Sequence, residues 1–203
     1  MTRTILAVGW AVVAITAILV AVVSTRYFLI SFELATPPDL LAAVSQRKII
    51  FFLHIVGGIL ALASGAWNFV EASRCRFLYL HRWLGRIYLV SVMVGGVAGL
   101  LLSTSAQGGL AGRVGFGTLA VLWLVTGAIA FVRIRSYEVE LHRQWMIRNY
   151  SLTFAAVTLR IWIPLLMGAA GYEFQEGYAA IAWISWVPNL LVAEFLLRRP
   201  VQL

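Results

Sequence analysis

The chain has 203 residues, 62% of them hydrophobic and 12% charged, with a formal net charge of +8. Soluble domains average about 25% charged and 45–50% apolar residues, so no soluble fold of this length could bury so much apolar side chain. The arginines stand in short loops between apolar runs, where they set topology and meet anionic lipid headgroups; this excludes nucleic acid as the partner that the charge would otherwise suggest.

Six apolar runs follow one another, at residues 5–23, 49–70, 83–105, 114–132, 145–170 and 178–197. Each is near the ~20 residues that cross a bilayer core as a helix. They predict an all-α integral membrane bundle of six helices, forming a single transmembrane domain over residues 1–203. The first run is 19 residues long, beyond the 7–15 of a signal-peptide core, and reads as an uncleaved span. After it comes the longest loop, 24–48, with the turn signal Pro37-Pro38-Asp39 and a short surface helix expected over 40–44.

The second run carries His54, about 9 Å deep from its start, and the small-residue ladder Gly57, Ala61, Gly65. The third carries the ladder Ser91, Gly95, Gly99, Ser103. Spacing of four puts each ladder on one helix face, where two backbones approach closely. The lone cysteine, Cys75, lies in the loop between these runs and excludes an internal disulfide. The fifth run is the most polar. His142, Asn149, Thr153, Arg160 and Met167 fall on one stripe, and Pro164 is placed to kink the helix. Such a stripe suits either a translocation path or an interior helix whose neighbours satisfy each polar group.

Placing the N-terminus inside puts 11 arginines on the inner side (Arg3, Arg74, Arg76, Arg82, Arg86, Arg133, Arg135, Arg143, Arg148, Arg198, Arg199). The outer side then holds four basic residues, Arg26, Arg47, Lys48 and Arg113, and Arg160 lies within a span. The bias gives cytoplasmic termini and a multi-pass protein of the inner (plasma) membrane. Trp67, Trp83 and Trp145 near span ends read as interfacial anchors.

The sequence also repeats itself. Ser64-Gly65-Ala66 and Thr126-Gly127-Ala128 are each followed by an arginine-bearing loop, a Leu-His-Arg (His81-Arg82, His142-Arg143) and an Arg-x-Tyr (Tyr88, Tyr150), at an offset of 61 or 62 residues. Runs two–three and four–five therefore read as a duplicated helix hairpin with a pseudo-symmetric four-helix core. That places His81 and His142 across from one another near the inner surface. Two such imidazoles could ligate haem iron, with Arg82 and Arg143 beside them for the propionates. Snorkelling arginines and a capping histidine are the plainer account. His54 and Arg160 are expected at similar depth in the outer half. They point to an outer ligand site for an anionic or carbonyl-bearing molecule, with Asn149 and Thr153 along the same stripe. Neither a phosphate-binding glycine loop, a Cys/His zinc pattern, a Gly-x-Ser-x-Gly motif nor a buried carboxylate pair is present.

The run from His54-Ile55-x-Gly57 through His81-Arg82-x-x-Gly85-Arg86-x-Tyr88 to His142-Arg143-x-Trp145-Met146 resembles a bacterial family of predicted multi-spanning membrane proteins with a domain of unknown function. The resemblance covers roughly residues 49–164 and implies a shared helical fold without an activity. The segment His81-Arg82-Trp83-Leu84-Gly85-Arg86 is similar to a haem-ligand segment of haem A synthases, which implies a histidine-held b-type haem. That family has a glutamate where this chain has Leu78, and carries its motif toward the outer face. Three functions follow as expectations. The first is a haem b protein that passes electrons within the membrane, with quinone as a further cofactor. The second is a small-molecule or lipid transporter or binding protein using the stripe of the fifth run. The third is an accessory subunit that meets a membrane-protein partner, or a second copy of itself, as well as lipid.

Overall fold

The computed structural model describes residues 3–198, leaving out the side chains of 3–6 and 71–72. Arg199 lies outside the described residues, as does the side chain of Arg3. Six helices are long and apolar enough to cross a membrane: Ala7–Leu29, Lys48–Asn68, Leu78–Ser103, Gly109–Arg135, Val139–Ala169 and Phe174–Arg198, here spans one to six. No strand occurs among the described residues. Several spans outrun their apolar runs by up to six residues, because the helical hydrogen-bond ladder continues through the arginine-bearing turns while the long side chains reach toward the interface. Rows of exposed apolar side chains such as Val90, Leu191 and Val192 fit an outer surface solvated by lipid.

The end that carries residues 71–77 and 136–138 is the arginine-rich face; the opposite end, with residues 30–47, 104–108 and 170–173, is the far face. Helix Pro38–Ser45 lies on the far face. Pro38 occupies its first turn, where a missing N–H costs nothing. The preceding stretch is pinned to span two by aromatic contacts, Tyr27 and Phe32 on Phe51 and Phe28 on Phe52.

Span two packs against span three at its closest. A Cβ at Gly57 would lie 2.7 Å from the Gly95 Cα, so the ladder residues let two backbones touch. Span three packs on four, four on five and six, and one on two, while two meets five over only a short stretch. The space left between spans two and five is where the cavity described below opens.

Spans five and six are each interrupted at a proline. In span five, Pro164 has no N–H for the Arg160 carbonyl, and residues Pro164–Ala169 form a π-helical turn. In span six the helix stops at Ile184 and resumes at Val187. Pro188 cannot donate to the Ile184 carbonyl. The neighbouring Ser185 carbonyl accepts from Asn189 Nδ2 at 2.9 Å and from the Thr158 hydroxyl.

Candidate functional site

The middle of the bundle is a sealed polar network. Asn149 and Tyr88 are fully buried, and Trp123, Thr126 and Thr153 are nearly so. The Asn149 amide nitrogen donates to the Trp123 carbonyl (2.7 Å) and to Thr126 Oγ1 (2.8 Å). Its oxygen accepts from the Tyr88 hydroxyl at 2.6 Å. Thr153 Oγ1 accepts from Trp123 Nε1 at 2.8 Å and lies 2.8 Å from the Tyr88 oxygen and 3.0 Å from the Asn149 carbonyl. Thr153 has one proton and two neighbouring acceptors, so its hydroxyl is committed within the network. Tyr150 donates separately to the Leu62 carbonyl at 3.2 Å. Gly65 and Gly127 leave room for the Tyr150 ring and the Asn149 amide respectively. Buried polar groups this well satisfied specify one packing arrangement. Asn149 thus sits in the structural core and does not line the cavity, and Thr153 faces the cavity with its hydroxyl already engaged.

On the far-face side of this network lies a cavity of about 260 Å³. Trp123, Leu152 and Thr153 form its floor, and helix Pro38–Ser45 with residues 105–107 forms its roof. Phe51, Phe116, Leu119, Leu159 and Tyr178 make the walls mainly apolar. Its size approaches the small end of ligand pockets, which are apolar with few polar groups. His54 stands in the wall. Its Nδ1 is 2.8 Å from the Gly95 carbonyl, and a carbonyl only accepts, so Nδ1 carries the proton. The Nδ1–Cε1 edge packs on Gly99, where a Cβ would come within 3.0 Å. Nε2 has no protein partner and is not among the sealed unpartnered atoms of the described residues. A neutral His54 therefore presents a hydrogen-bond acceptor at the cavity.

Arg160 is not part of that lining. Its Nη1 donates to the Ala156 carbonyl at 2.7 Å and its Nη2 to Ser24 Oγ at 3.0 Å, toward span one. It stays within electrostatic range of His54.

Near the arginine-rich face, His81 and His142 come within electrostatic range of one another, but their rings are held differently. His142 Nδ1 is 2.8 Å from the Ala130 carbonyl, which leaves Nε2 as the lone pair. The Asn68 amide is satisfied when its oxygen accepts from Gly85 N–H (3.1 Å) and its nitrogen donates to the His81 carbonyl (3.2 Å) and His81 Nδ1 (3.2 Å). His81 then carries its proton on Nε2. Arg143 is engaged by both oxygens of Glu140, at 2.9 and 2.7 Å. Arg82 is exposed and in no ion pair of the described residues. The equivalent residues Arg86 and Arg148 stack over Trp83 and Trp145, at 5.0 and 4.9 Å, and Arg148 also forks onto Glu194 at 2.5 and 3.1 Å. Among the described residues, no three His, Cys, Asp or Glu side chains gather as a metal site would need.

Sequence reasoning singled out His54 but not Trp123, Phe116 or Tyr178, which complete the cavity. Aromatic residues inside apolar runs carry no signal of their own there. Tyr88 was visible as half of a repeated Arg-x-Tyr, though not as the partner of Asn149.

Six spans, a sealed polar centre and a mainly apolar cavity with His54 in its wall define a polytopic α-helical membrane protein. The chain belongs to the family described as predicted membrane protein (DUF2306), which it matches over residues 51–197. That match takes in spans three to five whole and nearly all of spans two and six. No curated protein and no solved structure matches the chain.

Proposed function

We propose that the protein binds a small, largely apolar molecule carrying a hydroxyl group in the far-face cavity, with a membrane quinol as the best-fitting class. The observation that carries this is the free acceptor of His54 in the wall of a mainly apolar chamber. His54 spends its proton on the Gly95 carbonyl and offers Nε2 as an acceptor in a cavity that the Trp123 and Phe116 rings also line. A hydroxylated ring satisfies that acceptor and fills the apolar volume, whereas a ligand offering only acceptors leaves Nε2 without a donor. The test is saturable binding of a radiolabelled short-chain benzoquinol to the protein in lipid nanodiscs. His54→Phe should weaken binding about tenfold, the worth of roughly one hydrogen bond of 1.4 kcal/mol. The dimethyl ether of the same quinol should bind wild type and variant equally. Equal binding of the quinol itself to wild type and His54→Phe would refute the proposal.

A b-type haem between His81 and His142, serving electron transfer, is the second reading. It is favoured by the place of both rings near the arginine-rich face and by the free Nε2 of His142. It requires the Asn68 amide to turn, because His81 Nε2 holds the proton while Asn68 donates to Nδ1. Arg143 would also have to leave Glu140 to reach a propionate. Reduced-minus-oxidised absorption spectra of protein made with ample haem decide it: a flat visible spectrum removes this reading and leaves the cavity proposal untouched.

A further inference from the structure

We infer that the cavity holds a second polar contact for its ligand: the side-chain amide of Gln107, in the roof, donates to an acceptor oxygen at the other end of the molecule whose hydroxyl meets His54. This contact rests on the proposed quinol reading, and it narrows the ligand to a ring bearing oxygens at two ends.

A chain of partners forces the orientation of the Gln107 amide. The Gly108 N–H can only donate, and it lies 2.8 Å from Gln175 Oε1, which fixes that atom as the oxygen. Gln175 therefore turns Nε2 to Gln107, 2.6 Å away, and the atom that it meets there must be the Gln107 oxygen. Gln107 Nε2 is left with two N–H groups and no acceptor among the described residues. It is not sealed either, since the sealed unpartnered atoms of the described residues are Trp10 Nε1, Thr36 Oγ1 and Ser185 Oγ. Gln107 lines the cavity. Its Oε1 faces Gln175, and its backbone carbonyl faces Gly112, where a Cβ would come within 1.9 Å of it. Neither Gln175 nor Gly112 is part of the lining. The polar group that Gln107 has left for the cavity is Nε2.

The other polar side chains of the lining make no comparable demand. Ser103 and Ser105 give their protons to the Leu100 and Leu102 carbonyls, at 2.7 and 3.3 Å, and Trp123 gives its own to Thr153. The Tyr178 hydroxyl can donate or accept, so it does not dictate what a ligand carries. His54 Nε2 only accepts and Gln107 Nε2 only donates. The two also stand at different heights. The imidazole packs on Gly99, whereas Ser103, ~6 Å further along the helix, ends span three, and Gln107 lies beyond it. A ring with a hydroxyl at one end and a hydroxyl, ether or carbonyl oxygen at the other satisfies both groups. A phenol without the second oxygen leaves the Gln107 donors unmet.

The test compares two probes bound to the full chain in lipid nanodiscs: the short-chain benzoquinol and the matching alkylphenol, in which hydrogen replaces one ring hydroxyl. Affinities are referred to the concentration of each probe in the lipid, so that unequal partitioning cancels. Wild type should prefer the quinol about tenfold, the worth of roughly one hydrogen bond. Gln107→Glu should abolish that preference at pH 8, since a carboxylate still accepts from Gln175 but has no N–H to donate. His54→Phe should weaken both probes and leave the preference in place. A preference retained in Gln107→Glu, or absent from wild type while His54→Phe still weakens both probes, overturns the Gln107 contact and spares the cavity reading. Loss of the preference in Tyr178→Phe but not in Gln107→Glu gives the contact to the Tyr178 hydroxyl and overturns it equally. Both probes binding His54→Phe as tightly as wild type would remove the cavity reading, and the Gln107 contact with it.

Discussion

Toward the arginine-rich face, span five sets Arg148 against both oxygens of Glu194, and just beyond it Asn149 meets a protein partner at its side-chain oxygen and at both amide N–H groups. Toward the far face, the same span sets Arg160 against one carbonyl and one hydroxyl, beside a cavity whose His54 keeps a free lone pair. The histidines differ in what surrounds them: His81 is met on Nδ1 by Asn68, His142 sets Nδ1 on the Ala130 carbonyl, and His54 alone of the three lines the cavity. In the arginine-rich half Asn149, Tyr88, Arg148 and Glu194 spend their polar groups on one another and on their neighbours, which accounts for stability and uniqueness there. The other half retains unspent donors and acceptors, and it is there that the proposed ligand is placed.

Substitutions at adjacent positions can break this contrast or sharpen it. The largest effect is expected from Gly57→Leu. Overpacking usually costs about 1–3 kcal/mol, and here the added atoms meet the Gly95 backbone, which no rotamer change can clear. Size-exclusion profiles in detergent should show loss of the folded peak; a wild-type profile would mean that spans two and three are not held backbone to backbone. Asn149→Leu comes next, with a loss of roughly 2–4 kcal/mol, since it leaves the Tyr88 hydroxyl, Thr126 and the Trp123 carbonyl each one partner short. Thermal unfolding in micelles measures it, and a shift smaller than that of an exposed-pair variant such as Arg143→Gln would undo the assignment of this network as structural. Smallest, and opposite in sign, is Gly58→Leu. Gly58 neighbours Gly57, but a Cβ there meets nothing within 4 Å and the residue lines the cavity. Filling that space and replacing a helical glycine should stabilise the protein by about 1 kcal/mol while abolishing quinol binding. A stabilised variant that still binds quinol would place the ligand elsewhere.

Much of the architecture was legible because lipid imposes a single demand on every span: length and apolarity mark each one, and the six runs correspond to six helices. The extra reach of the helices was not legible, since Leu78, Tyr79 and Leu80 join span three ahead of Trp83 through backbone bonding that hydropathy does not report. Pro164 announced a disturbance in span five, and the structure resolves it as a π turn. Pro188 carried an equal signal in span six that was not used, where a two-residue break appears. The site was half legible. His54 stood out because ionisable residues are rare at that depth. Its separation from Arg160 was hidden, because span five presents the arginine toward Ser24 of span one, a contact across 136 residues that no local pattern encodes. Pairing Arg148 with Glu194 was hidden for the same reason.

The roof of the cavity adds a consequence of a different kind. On one side it is stapled. Gly108 takes a left-handed conformation (φ +83°), any side chain there would strike the Ala179 backbone, and Gln175 accepts from Gly108 N–H at 2.8 Å while donating to Gln107 at 2.6 Å. On the other side, helix Pro38–Ser45 touches span two only lightly and buries none of its residues fully. For any occupant, the path of least work in and out runs beneath that helix. For the proposed ligand, the 38–45 segment would govern how fast it exchanges, whereas His54 and the aromatic walls would govern how long the bound state is worth keeping. Tying the helix to span two should slow arrival and departure alike and leave the equilibrium where it was.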